Sequence, residues 1–551
     1  MLVTHCGGIG GKDIKVADKL TDPSKPAHSL IKVLEDGDAI RNDGVRLTAA
    51  NKNPWYVLAT IYGEGGEHEE PKGHVKDDTL LKYAAEMRAK LRRAWNLWVC
   101  LELTDEERAE RARTAGLDIA ELSPQEDEEK AAAELAEITK LFQARMGKGA
   151  KLPSPDKTIN FSSTFFPKPL HFGGMVFEKD VSFYLAAFLG SVDFSSTMFT
   201  GDADFVDATF TGDADFTGAT FADGADFVAA MFMGDAFFRY ATFAGYASFR
   251  GVMLTGGADF VAATFTGDAD FNGTTFMDFA AFNGVTFPMH VSFSGVTYWG
   301  DVSFFGATFT GDADFSYAKF KYTTRFANVR FLTSVPQFRA AQLYDNTEFP
   351  AHDKDQKSWP PLRGRVKIGE EQFEVMPAVN QKRAYNRLRL LMNGSLRFEE
   401  EQFFYRQEMR CKSVLAKWYH KPFYWLYALL SDCGNSVWRP LFWMIFVMLS
   451  GALFMLWWQE AFTFLPKESS GFDWTLGLLG EDDLWAKPRQ AAGWSISNTL
   501  PFLGFGKLYY GGEFAVNLAW PLKVVGGVQT VFGFILLFFF GLGLRNRFRL
   551  R

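Results

Sequence analysis

The sequence has little of what site chemistry usually needs. Its four cysteines, Cys6, Cys100, Cys411 and Cys433, lie far apart in 551 residues. No zinc-type cluster and no C-x-x-C redox pair can be built from them as chain neighbours. They are expected to be reduced thiols. Eight histidines come with no Ser/His/Asp arrangement, which removes the hydrolase argument. His68 and His74 sit among acids in EGGEHEEPKGHVKDD, a setting that suits a solvated loop better than a metal site. The Gly-rich stretch GGIGGKD, residues 7–13, lacks the spacing of a phosphate-binding loop and reads as a flexible terminus. There is no excess of positive charge. The net charge is −7, so no nucleic-acid partner is expected. The opening MLVTHCGGIGGKDIK holds no apolar core of signal-peptide length. No catalytic residue, metal or cofactor is expected.

What the chain does have is phenylalanine, 57 in all, and much of it is periodic. Phe172, Phe177, Phe183, Phe188, Phe194, Phe199, Phe205, Phe210, Phe216 and Phe221 follow at steps of five and six in alternation. The series runs on to Phe331, with Leu254 and Tyr298 as its exceptions. Small residues such as Ala203, Ala208, Ala214 and Ala219 precede the rings by two. A long fixed period means stacked units. In an extended backbone, residues i−2 and i share a face, so the small residue and the ring point inward together. The Gly and Asp residues between them suit corners. Four sides with two lengthened corners give a coil of 22 residues (Phe205 to Phe227). Residues 172–331 then make about seven coils, stacked at roughly 4.8 Å. Close-packed Phe and Ala leave little room inside for a ligand.

This pattern resembles the pentapeptide-repeat family, with its unit A-(D/N)-(L/F)-x-x. The resemblance implies a right-handed quadrilateral β-helix over residues 160–350. The outward acids Asp204, Asp215, Asp226, Asp259, Asp270 and Asp314 recur at multiples of 11. At 22 residues per coil, Asp204 stacks beside Asp226 while Asp215 lies on the opposite side. Residues 172–331 hold 18 acids against seven Lys and Arg, a net of −11. Some members of the family imitate DNA with such a surface and bind topoisomerases. The alternative is that the acids keep a long rod soluble and block edge pairing.

Two apolar runs follow. Residues 440–458, PLFWMIFVMLSGALFMLWW, carry no charge, and residues 524–544 carry only Gln529 as a strongly polar group. Both approach the roughly 20 residues that cross a bilayer. Lys412, Lys417, Lys421 and Arg439 precede the first, and Arg545, Arg547, Arg549 and Arg551 follow the second. The positive-inside rule then puts both ends in the cytoplasm. Residues 459–523 lie outside. Within them, GWSISNTLPFLGFGKLYY (493–510) suggests a short helix at 495–500, broken by Pro501. It resembles the signature of two-transmembrane pore-loop channels, W-S-x-E-T-x-T-T-V-G-Y-G-D. The matching places are Trp494, Ser495, Leu503, Gly504, Phe505, Gly506 and Lys507. Alternate glycines let carbonyls turn toward an ion. Leu500, Pro501 and Phe502 replace the threonines of that signature, and Lys507 replaces its acid. An anion or non-selective pore is therefore open beside a cation one, and so is a re-entrant loop without conduction. The pore-loop candidates are Thr499, Leu503, Gly504, Phe505, Gly506 and Lys507. Gln529 is a candidate either to line a pore or to bond a neighbouring helix. Gly533, Gly541 and Gly543 are read as packing positions.

The remaining segments are helical by pattern. Residues 376–435 form a linker with helices at 380–394 and 397–420 and an interfacial aromatic helix at 422–430. Residues 1–150 look like a separate α-rich domain. There, 53–64 reads as strand-like, 75–100 as helix, and capping boxes at Thr104 and Ser123 open two more helices. The whole is expected to be a multidomain protein ending in an α-helical transmembrane hairpin with a re-entrant loop (436–551). Two functions stay open. One is a bacterial inner-membrane, channel-like homotetramer passing an inorganic ion, with a cytoplasmic sensing or docking β-helix. The other is a membrane-anchored scaffold whose acidic β-helix binds a cytosolic protein. In both, the lipid bilayer is a partner.

Overall fold

The computed structural model describes residues 30–63, 78–125, 127–351, 357–368, 370–458, 486–503 and 518–548. The chain divides into two units, residues 1–403 and 404–551.

The first unit is a β-solenoid of about eight turns with four flat sides. Three sides are eight-stranded sheets and the fourth is eleven-stranded. Within the coils each strand is two or three residues long and pairs in parallel with the strand 22 residues on, as Ala203 with Ala225 and Asp204 with Asp226. Inside, the rings stack along the axis nearly parallel, with centroids 4.8 Å apart for Phe205–Phe227 and 4.9 Å for Phe216–Phe238. Across the axis they meet edge to face, at 5.6 Å and 90° for Phe205–Phe216. Both geometries suit the ring quadrupole.

The five- and six-residue steps make two kinds of corner. The five-residue corners are turns closed by bonds such as Ala208 N to Phe205 O, with a left-handed residue two after the ring, Asp207 at φ 56° or Gly218 at 67°. Many of the six-residue corners hold glycine for another reason. A Cβ on Gly212 would lie 2.5 Å from the Ser191 nitrogen of the coil before. Backbone meets backbone there, and only glycine fits.

The column starts earlier and ends later than the period suggests. Phe161 and Phe166 stack under Phe183 and Phe188. Phe338 and Phe349 continue it after one inserted residue, since their partners Phe315 and Phe326 lie 23 residues back. Tryptophans close both ends. Trp95 sits 5.2 Å from Phe177 and donates its indole N–H to Val176 O at 2.8 Å. Trp359 lies 5.2 Å from Phe331.

The N-terminal segment is built onto this column. Three short strands, Leu30–Val33, Ala39–Arg41 and Arg46–Ala49, extend the eleven-stranded side, the last pairing in parallel with Thr164–Phe166. The helices α1 (Pro54–Ala59), α2 (Asp78–Val99), α3 (Asp105–Ala115) and α4 (Glu128–Met146) follow. The stretch expected to be strand-like is therefore helical at α1. Asn53 caps it, accepting from the N–H of Trp55, and Pro54 takes the first helical position. Thr104 and Glu107 form the expected capping box. The second box does not open a helix at Ser123, because α4 starts later on the Asp127 carboxylate.

In the linker, α5 (Ala378–Gly394) belongs to the first unit, and Tyr385 packs on Trp359. α6 (Phe398–Leu415) stops five residues short of the expected end. The second unit continues with α7 (Lys421–Ser431), α8 (Trp438–Trp458), α9 (Ala486–Thr499) and α10 (Trp520–Phe548). Cys100, Cys411 and Cys433 are buried, and none of the three is in a disulfide.

Candidate functional site

Within the second unit, α8 and α10 are long and apolar enough to cross a membrane. Their outer faces carry Phe442, Leu449 and Phe538, which are 63%, 60% and 67% exposed. A core helix of a soluble protein would bury such residues. The helices run as a hairpin. Asn546 near the end of α10 donates to Gly434 O just before α8, at 2.8 Å. Gly543 lets that backbone approach, since a Cβ there would lie 2.9 Å from Ser436 O. α7 joins the same corner through Tyr427, whose hydroxyl donates to Cys433 O at 2.9 Å and whose ring packs on Phe539. Asp432 at this corner accepts from Arg406 at 2.9 Å.

Between the two long helices lies α9, packed on both. It is longer than the expected 495–500 and begins nine residues earlier. Its apolar anchors are Ala491 and Trp494, which meet Met455, Leu518 and Leu522. Its polar anchor is a three-helix knot. Gln529 of α10 donates from Nε2 to Val447 O of α8 at 2.9 Å and to Ser495 Oγ of α9 at 2.7 Å. Ser495 in turn donates to Met448 O at 2.6 Å. Thr499 closes the helix by donating to Ser495 O. Ser495 and Thr499 are fully buried and Gln529 is 4% exposed. Two glycines make the room. A Cβ on Gly451 would meet Gln529, and one on Gly533 would meet Thr499 O. Gly533 and Gly543 are thus close-packing positions, while a Cβ on Gly541 would meet nothing.

Of the pore-loop candidates, Thr499 lies in the knot. Leu503 ends a single 3-10 turn, Pro501–Leu503, that follows α9. Gly504, Phe505, Gly506 and Lys507 lie outside the described residues, as do His68, His74 and Cys6. Gln529 sits at the helix-to-helix contact that was one of its two expected roles. The roles of Ser495 and Gly451 were not foreseen. Their signal was a small polar and a small apolar residue, each on a segment that must pack against Gln529.

The acidic residues occupy opposite sides of the solenoid. Asp204, Asp226, Asp270 and Asp314 share one side, separated by Ser248 and Ser292. Asp215 and Asp259 share another, with Phe237 between them. All six accept the backbone N–H two residues on, for example Val206 N to Asp204 at 3.0 Å and Ser316 N to Asp314 at 2.8 Å. Each therefore braces a five-residue corner. Asp259 is also buried and paired with Arg239. Burial, and then the neighbouring Asp204, push the Asp226 carboxyl above its usual range. A second set of acids ties coil to coil. Asp202 accepts from Gly224 N and Asp213 from Asp235 N, both at 3.0 Å.

The profile of the family described as pentapeptide repeats (nine copies) matches the chain over residues 172–220 and 205–253. No curated protein and no solved structure matches the chain.

Proposed function

We propose, from the premise that this chain carries a pentapeptide-repeat β-helix together with two helices apolar enough to cross a membrane, that it is a pore-loop protein of a bacterial inner membrane. In this reading α8 and α10 span the bilayer, and both termini are cytoplasmic, on the side carrying Arg439, Arg545 and Arg547. α9 re-enters between the spans, and residues 503–507 are the candidate filter of an ion path. The observation that carries the reading is the seat of α9. A short helix between two lipid-length helices is held to both by buried polar bonds through Gln529 and Ser495. Irregular backbone at membrane depth must be covered by protein. One hairpin supplies too little cover, so the pore is a homo-oligomer, a tetramer. The β-helix docks or senses a cytosolic protein, and α7, tied to the facing ends of both spans, passes that signal on.

Purified protein in liposomes tests this. It should leak ions, and Gly504→Val or Gly506→Val should abolish the leak. Leak that persists through both substitutions removes the filter assignment. A monomeric mass for the detergent-solubilised particle excludes the pore.

A second reading, a membrane-anchored scaffold without conduction, is favoured by one feature of the solenoid surface. Met277, Phe279, Trp299, Tyr322 and Tyr344 are exposed along consecutive coils, a run of apolar surface of the kind partners cover. That reading expects no leak and a protein partner recovered through this edge or through the acidic sides.

A further inference from the structure

A cleft of about 380 Å³ opens in the first unit between α2, the turn after α3 and the early coils. Its floor is a chain of polar groups. Asp193 is pinned from one side, accepting the backbone N–H of Ser195 at 2.9 Å and its hydroxyl at 2.6 Å. His171 lies on the coil before, in register with Asp193. Its Nδ1 stands 3.6 Å from Asp193 Oδ2 and is buried without a partner at hydrogen-bond distance. On the open side, Arg88 of α2 meets His171 Nε2 at 3.3 Å. A guanidinium only donates, so Nε2 accepts and the ring proton sits on Nδ1, toward Asp193. Burial works against the Asp193 carboxylate, but His171 and Ser195 hold it below its usual range.

Arg92, one turn along α2, is placed differently. It donates through Nε and Nη2 to the two carboxylate oxygens of Glu121, at 2.5 and 2.8 Å. Asp118 caps the turn beyond α3 by accepting from Ala120 N at 3.0 Å. Arg88 instead faces a neutral ring nitrogen, the weaker kind of acceptor for a cation.

We propose that this cleft binds a small carboxylate-bearing molecule, with the carboxylate held between Arg88 and His171. Arg88 exchanges a neutral acceptor for a charged one, which strengthens its bond. Nε2, released from Arg88, takes up a proton and donates to the second carboxylate oxygen. Asp193 balances the new charge from the other side of the ring. The charge count selects the class. With His171 protonated, Arg88, Arg92 and His171 only offset Asp118, Glu121 and Asp193, so the site takes at most a single negative charge and disfavours a dianion such as phosphate. Because the walls come from α2 and from the coils, the bound molecule also fastens the helices to the solenoid.

Calorimetric titration of the full chain with sodium acetate, against sodium chloride and inorganic phosphate, tests the proposal. Acetate should bind saturably at one site. Arg88→Gln changes an exposed side chain and should leave the fold intact. It should weaken acetate by about tenfold or more, and Arg88→Lys should restore part of the loss. Absence of saturation, equal binding by Arg88→Gln, or a preference for phosphate over acetate would overturn the assignment.

Discussion

The two units of this protein are built inside out with respect to one another. The solenoid hides its aromatics on an axis where Phe205, Phe216 and Phe227 have no exposed surface, and turns Asp, Ser and Thr outward. The helical unit hides Gln529, Ser495 and Thr499 and turns Phe442, Leu449 and Phe538 outward. On the proposed reading, one chain is patterned for two solvents. In water the cohesive term is removal of apolar area. In lipid that term vanishes, and close packing with polar bonds must replace it. The inversion is the strongest physical argument that α8 and α10 face a bilayer.

The largest expected effect sharpens the contrast at a single residue type. Phe216 stacks at 4.9 Å on Phe194 and Phe238 and meets Phe205 and Phe227 edge-on. Phe216→Ala should cost about 3–5 kcal/mol of solenoid stability by urea denaturation, from lost transfer energy plus a cavity. Phe538→Ala, on the exposed face of α10, should barely move the melting temperature in detergent. Comparable losses at the two sites would break the comparison, because α10 would then be an ordinary buried helix.

The next effect probes the polar interior. Gln529→Leu should lower the stability of the detergent-solubilised helical unit by about 1–2 kcal/mol, the usual worth of an interhelical polar contact. The stronger test is a cycle with Gly451, whose Cβ would collide with the Gln529 amide. Gly451→Ala should be costly alone and much less so in a Gln529→Ala background. Additive losses would mean that the two positions do not touch.

The repeat was legible because every coil states it again. The step of five and six, the small residue two before each ring and the 22-residue register all stand in the sequence and recur in the strand pairing. What happens once per molecule was harder to read. Trp95 and Trp359 plug the aromatic column, yet each is a single residue with no period to mark it. Asn53 and Pro54 announced a helix, but the Val-Leu-Ala-Thr-Ile-Tyr run after them suggested a strand. Ser123 is followed by a proline just as Asn53 is, so the local residues did not show that the Asp127 carboxylate, accepting from the N–H groups of Glu129 and Lys130, would open α4 instead. The outward aspartates recur down two sides of the strand pairing. Their bonds to the corner N–H groups were not visible, because such a bond depends on which way the turn folds. In the second unit, hydropathy located both helices long and apolar enough to cross a membrane. It could not show that a polar residue of α10 would bond α8 and α9 together, since that is set by three helices meeting at one depth.

The smallest effect tests the solenoid's one tyrosine rung. Tyr298 takes a phenylalanine position in the column, stacked at 5.0 Å on Phe276 and 5.1 Å on Phe320. Its hydroxyl is buried without a partner. Burial raises its pKa well above the ordinary tyrosine value. The sign follows from linkage. The folded state resists ionisation that the unfolded chain accepts, so stability is intact below pH of about 10 and falls as the pH climbs above it. Tyr298→Phe keeps the ring and removes the unpaired hydroxyl. It should therefore raise stability by about 1 kcal/mol at neutral pH and flatten the alkaline loss. Urea midpoints compared across that range measure both. Tyr62 and Tyr246 are also shifted upward by burial, so some alkaline slope should survive the substitution. A slope left entirely unchanged would mean that the Tyr298 hydroxyl has a bonding partner inside the column, and that the aromatic interior is not uniformly dry.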